Sequence, residues 1–162
     1  MKLTHSSMSC FRTCNRRYQI GYVEGVRPRK ESTPLRMGSA VHIGIDKRAQ
    51  GMSEDDAIRE AQAAYAVLPD WIKSEEDLND WQLEVEIVSR LLSGYFWRYG
   101  EIDEEVVATE MEFDLPIINP ETGRATPNYT FAGKIDKIVN RPPLLIREHK
   151  TTGENIEVTS NY

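Results

Sequence analysis

From Ser7 to about Gly21 the apolar positions Phe11, Cys14, Tyr18 and Tyr22 recur at three- and four-residue steps with basic residues between them, the period of an amphipathic helix. The charged stretch from Val26 to Pro34 holds two prolines and reads as a loop. Thr33-Pro34 then offers a cap and a first-turn proline for a second helix reaching about Gln50. Ser53, followed by Glu54, Asp55 and Asp56, puts a cap and negative charge where a helix dipole favours both. The stripe of this third helix is Ala57, Ile58, Ala61, Tyr65 and Leu68. Ser74-Glu75-Glu76-Asp77 repeats the device, and Trp81, Val85, Val88, Leu92, Tyr95 and Phe96 mark a long amphipathic helix ending near Gly100. These aromatic stripes read as core.

Beyond Gly100 the period shortens. Val106-Val107-Ala108 with Met111, Phe113 and Leu115 predicts a strand, Asn119-Pro120-Glu121-Thr122-Gly123 a turn, and Tyr129 to Val139 a second strand. Asn140-Arg141-Pro142-Pro143 forces another turn, and Leu144 to Lys150 predicts a third strand pairing back as a hairpin. A helical half followed by an antiparallel meander argues for an α/β layer fold of the α+β or mixed type. At 162 residues the chain is expected to form one domain, mainly helical over 1–100 and sheet over 101–152.

Charge changes the picture. The net charge of −6 argues against a protein coated in phosphate-binding residues. Yet residues 1–50 hold ten Lys/Arg against three acids, a surplus of +7 that leaves the remainder at −13. Such asymmetry points to a polyanion-facing segment on an acidic body, against the plainer reading of solvated helix faces. No run of about 18 apolar residues is present and Met1-Lys2-Leu3-Thr4-His5-Ser6 lacks an apolar signal segment, so a soluble intracellular protein without a membrane partner is expected. Cys10 and Cys14 are too few for a disulfide framework. Their i, i+4 spacing predicts two packed, reduced thiols on one helix face. No cysteine follows Cys14 to complete a zinc or iron–sulfur site.

The chemistry gathers on the last two strands. Alternation puts Leu144, Ile146, Glu148 and Lys150 on one side of the third strand, two apolar residues running into a carboxylate and an amine. Burying such a pair is unfavourable unless the strand end opens into a site. Across the turn, hairpin pairing brings Asp136 of Gly133-Lys134-Ile135-Asp136 towards Glu148, and adjacent carboxylates repel unless a cation lies between them. Carboxylate oxygens suit Mg²⁺ or Mn²⁺, and a neighbouring ammonium such as Lys150 can position a water or offset transition-state charge. Taken alone, Asp136 followed by Glu148-x-Lys150 is a weak signal that fits a surface salt bridge better than a metal site.

In combination these segments are more specific. Gly133-Lys134-Ile135-Asp136-Lys137-Ile138 and Glu148-His149-Lys150-Thr151-Thr152 resemble motifs II and III of the RecB-type exonuclease branch of the PD-(D/E)XK superfamily. Met37-Gly38-Ser39-Ala40-Val41-His42 resembles that branch's helical motif ending in a metal-binding histidine, and Ser7-Met8-Ser9-Cys10-Phe11-Arg12-Thr13-Cys14-Asn15-Arg16-Arg17-Tyr18 its opening helix. The four segments follow the family's order over nearly the whole chain. The resemblance implies a restriction-endonuclease-like core in which a mixed sheet is flanked by helices. It implies Asp136 and Glu148 as catalytic metal ligands, His42 as a further ligand, and Lys150 acting on the attacking water. Glu110 stands where relatives carry an acidic residue before motif II, and Glu112, two residues on along the same strand face, is able to substitute for it.

The implied activity is Mg²⁺- or Mn²⁺-dependent DNA exonuclease action in recombination, repair or phage DNA processing. Arg12, Arg16, Arg17, Arg29 and Lys30 would touch phosphates. Cytoplasmic location in a bacterium or phage-infected host, and a helicase, recombinase or homo-oligomeric partner, belong to the same expectation, and an iron–sulfur cluster does not. Relatives continue past motif III with a helix bearing Gln and Tyr that this sequence, ending at Asn161-Tyr162, lacks. That departure keeps a second expectation in view, a noncatalytic DNA-binding or assembly module on the same fold. A third is a structural domain in which Asp136, Glu148 and Lys150 form a salt bridge.

Overall fold

The computed structural model describes residues 1–100 and 104–152. The expected position of a C-terminal Gln/Tyr helix, beyond 152, lies outside the described residues. The chain divides into two compact units: Met1–Arg29 with Glu110–Ile135, and Lys30–Thr109 with the residues from Asp136 on.

In the second unit three helices share a core. Helix α3 (Thr33–Ala49) has Pro34 in its first turn, where a missing N–H leaves nothing unpaired. Its cap is Ser32 rather than Thr33, whose hydroxyl instead donates to Glu84 Oε1 at 2.8 Å. Helix α4 (Glu54–Tyr65) starts where the Ser53 hydroxyl accepts the Asp56 N–H, and α5 (Glu75–Tyr99) where Ser74 and Asp77 close a reciprocal capping box. Val41 and Ile45, Ala57, Ala61 and Tyr65, and Trp81, Val88, Leu92 and Phe96 are buried together. Leu68, expected in the α4 stripe, is exposed, because the helix stops at Tyr65 before the next turn can bring it inward. Gly44 sets how closely α3 approaches α5: a Cβ there would stand 2.5 and 2.7 Å from the methyl carbons of fully buried Leu92.

A polar cluster sits within the same helices. Glu84 accepts hydrogen bonds from Tyr65 and Thr33 and pairs with Arg36 at 2.8 Å, both partners' side chains being largely buried. Burial pushes the Glu84 carboxyl up, but the hydrogen bonds and the guanidinium outweigh it and hold it below the ordinary glutamate value. Burial and the same carboxylate push Tyr65 up to about 12. The Arg36 guanidinium also lies over the rings of Trp71 and Trp81, 5.1 and 5.2 Å from their centroids.

The first unit opens with β1 (Lys2–Leu3), a strand too short to show alternation in sequence. The predicted single first helix is three pieces: α1 (His5–Thr13), α2 (Asn15–Tyr18) and a π-helical turn, Gln19–Val23. Cys14 makes the break, extended at φ −160° and ψ 108°. Cys10 and Cys14 therefore do not share a helix face, although the apolar stripe survives: Phe11 packs edge-on against Tyr18, which stacks on Tyr22. Both cysteines are free thiols, Cys10 half-buried and Cys14 exposed.

Strands β2 (Val106–Ile118), β3 (Ala125–Val139) and β4 (Leu145–Arg147) complete a mixed sheet of order β1-β3-β2, with β4 also on β3. β1 runs parallel to β3, Leu3 facing Phe131, and β4 runs antiparallel to it, Ile146 facing Ile138. The β2–β3 turn is closed by Asn119, whose Oδ1 accepts the Glu121 N–H at 2.8 Å, and by Gly123 at φ +65°. Gly133 leaves room for the Phe113 ring, which a Cβ would meet at 2.6 Å. This α/β layer architecture is the fold class expected for a restriction-endonuclease-like core.

Candidate active site

The third predicted strand is shorter than its pattern suggested. β4 ends at Arg147, so Glu148, His149 and Lys150 follow the strand instead of lying in it. Leu144, Ile146, Glu148 and Lys150 form an exposed series, while Arg147 and His149 are partly buried. The inward face of this segment is thus the odd-numbered one, contrary to the expectation from its leucine and isoleucine. Arg147 provides the reason: its guanidinium is hydrogen-bonded to both carboxylate oxygens of Glu104, and Lys137 pairs with the same carboxylate at 3.4 Å. The Arg147 hydrogen bonds hold Glu104 below the usual carboxylate range.

The β3–β4 register pairs Lys137 with Arg147 and stops one step short of Asp136 and Glu148. There the His149 N–H donates to Asp136 Oδ2 at 2.7 Å. The other oxygen, Oδ1, lies 3.5 Å from His42 Nδ1 on α3. The His149 ring sits edge-on to both Tyr95 and His42, with its Nδ1 3.4 Å from the Tyr95 hydroxyl. Burial pushes the His149 imidazole down, the Lys137 charge adds to this, and Asp136 opposes it. Burial likewise pushes the Tyr95 phenol up. One turn before His42, Gly38 gives way to Thr151, whose Oγ1 a Cβ at 38 would meet at 3.3 Å. An open cleft of about 820 Å³ is walled by His42, Tyr95, Tyr99, Glu148 and Lys150 among others.

The donor set suits a hard divalent cation. Two ligand atoms bound at 2.0–2.1 Å on neighbouring octahedral positions lie about 3 Å apart, close to the separation of Asp136 Oδ1 and His42 Nδ1. One carboxylate oxygen and one imidazole nitrogen fit Mn²⁺ readily and Mg²⁺ with added waters.

In the first unit Glu110 is half-buried and ion-paired with Lys134. Its backbone is left-handed at φ +50°, rare for any residue but glycine and adverse inside a strand. This residue interrupts the alternation of β2, so that Glu112, expected on the same face, is exposed. Of the expected phosphate-binding residues, Arg12, Arg16, Arg17 and Arg29 are exposed in the first unit, with Arg16 donating to Gln19. Lys30 belongs to the second unit and lies 4.1 Å from the Trp71 ring centroid.

The sequence matches the model of the PD-(D/E)XK nuclease superfamily over residues 2–161. The chain belongs to this superfamily. Membership suggests a metal-dependent nuclease, a hydrolase with DNA as the implied substrate. No curated protein matches it. No described helix of this nuclease is long and apolar enough to cross a membrane. The residues that sequence reasoning passed over are His149 and Tyr95. Strand alternation sent His149 to the face away from the motif, and Tyr95 looked like one more core aromatic. The usable signal was a titratable ring between the glutamate and lysine of motif III.

Proposed function

We propose that this superfamily member is a Mg²⁺- or Mn²⁺-dependent DNA exonuclease of the RecB type, built as a single nuclease domain. We place its work in the cytoplasm, in recombination, repair or phage DNA processing. The observation that carries the reading is the pairing of Asp136 Oδ1 with His42 Nδ1 beside a cleft walled by Glu148 and Lys150. In this reading Asp136, Glu148 and His42 hold the cation. A cation held there would help to activate the attacking water and offset phosphate charge. The Lys150 ammonium, exposed on the cleft wall, orients that water and faces the charge that builds on the phosphate. Arg12, Arg16, Arg17, Arg29 and Lys30 grip the backbone without reading sequence.

The test is degradation of end-labelled linear DNA and covalently closed circular DNA with Mg²⁺, Mn²⁺ or EDTA, beside Lys150→Ala. Metal-dependent loss of linear DNA alone, abolished by the substitution, is expected. Cleavage that persists in Lys150→Ala would remove the assigned role of this lysine. Equal cleavage of closed circles would make the protein an endonuclease, and DNA binding without cleavage would leave a noncatalytic module.

A further inference from the structure

Motif III contains a residue to which the catalytic reading gives no task. His149 stands between Glu148 and Lys150, yet its side chain turns inward while theirs are exposed. Three residues converge on it. Its N–H donates to Asp136 Oδ2 at 2.7 Å, its Nδ1 lies 3.4 Å from the Tyr95 hydroxyl, and its ring sits edge-on to the Tyr95 and His42 rings with centroids 5.5 and 6.3 Å away. Its Nε2 is buried and meets no hydrogen-bond partner among the described residues. A polar atom left so is unfavourable by about 1–3 kcal/mol, whereas an apolar side chain would fill the place without that penalty.

The arrangement is a chain of supports. A carboxylate free to rotate offers a cation either oxygen in many directions. Asp136 is not free, because one oxygen is taken by a backbone N–H and the other is thereby turned towards His42. The N–H can hold this position only if the segment after β4 stays in place, and the ladder has already ended at Arg147. The His149 ring, set against Tyr95 in the middle of the long helix α5, anchors the segment there.

We propose that His149 and Tyr95 are positioning residues for the metal site: the Tyr95 hydroxyl and ring seat His149, whose backbone N–H fixes Asp136 with Oδ1 presented beside His42. This rests on the metal-dependent nuclease reading only in taking Asp136 as a ligand. Groups that orient a ligand typically change metal affinity by about 10- to 100-fold when removed. A pair acting in series shows strongly non-additive effects.

The test is direct Mn²⁺ titration by calorimetry, without DNA, of the wild type, Tyr95→Phe, His149→Ala and the double variant, each with its urea midpoint. His149→Ala is expected to weaken Mn²⁺ binding by about tenfold. Tyr95→Phe, which keeps the ring, weakens it less, and the double variant equals His149→Ala. The His149 amide proton, read by NMR hydrogen exchange without metal, should exchange faster in Tyr95→Phe. A merely structural role would lower the urea midpoint and leave both the Mn²⁺ affinity of the folded protein and this exchange rate unchanged, and that result overturns the proposal. Additive losses in the double variant overturn the serial route. Wild-type protein that binds Mn²⁺ with the expected variant pattern but cuts no DNA would sink the nuclease reading and leave this one standing.

Discussion

Two acidic side chains in the same unit are treated in opposite ways. Glu84 is enclosed by groups that answer it: a phenol, a threonine hydroxyl and the guanidinium of Arg36. Asp136 meets a backbone N–H and an imidazole. A guanidinium carries its charge at every working pH, while an imidazole nitrogen is itself a ligand for a divalent cation. The first carboxylate has a permanent cation built in, and the second has a place beside it that a cation of the right chemistry can take. The difference teaches how to tell a structural charge from a functional one, by the kind of partner and not by depth of burial.

The comparison is sharpened most by removing the two carboxylates' roles separately. Asp136→Ala should lower cleavage of linear DNA by roughly a thousandfold or more, several kcal/mol of transition-state stabilisation, with the urea midpoint held or raised. Loss of folding along with activity would show that Asp136 is structural after all. Arg36→Met should do the reverse, destabilising the fold by about 3 kcal/mol because Glu84 stays largely buried without its cation. A change under about 1 kcal/mol in the unfolding free energy would reduce that cluster to an ordinary surface ion pair. Gly44→Ala comes next, at about 2 kcal/mol, since the added methyl meets Leu92 where the side chain has no free space to withdraw into.

The smallest effect concerns pH. The folded Glu84 carboxyl lies below its ordinary value, so its contribution to stability is complete above the unfolded glutamate pKa, about 4.3. It is lost as pH falls through the folded value. Melting temperatures measured from pH 6 down to pH 3 should drop less steeply in Glu84→Gln than in the wild type, and parallel curves would contradict the assignment.

What the sequence revealed, and what it concealed, follows the range of the forces involved. The caps at Ser53 and Ser74 and the stripes through Ala57 and Trp81 are local features, and helices α4 and α5 stand where these put them. The turns at Asn119 and Pro142 were equally plain. The break at Cys14 was not, because neither glycine nor proline marks it and the aromatic spacing runs straight through. β4 deceived for a longer-range reason: Arg147 is drawn inward by Glu104, more than 40 positions earlier in the chain, and this reverses which side of the segment is buried. At the site, Asp136 and His42 were nameable from motif order and do meet. The seat that His149 finds against α5 depends on packing between elements 54 residues apart, which no local pattern encodes.

Glu110 was read from the sequence as no more than a further acidic candidate, yet its left-handed backbone gives it a different standing. A position whose main chain would suit glycine, occupied instead by a long charged side chain, is one where stability and activity pull against each other. Glu110→Gly would relax the strand and is expected to raise stability by about 1 kcal/mol, while removing the carboxylate that pairs with Lys134 and lowering DNA cleavage. A protein that became both tougher and inert through that single exchange would show the residue to be retained for what it does to a ligand, at the expense of the fold that carries it.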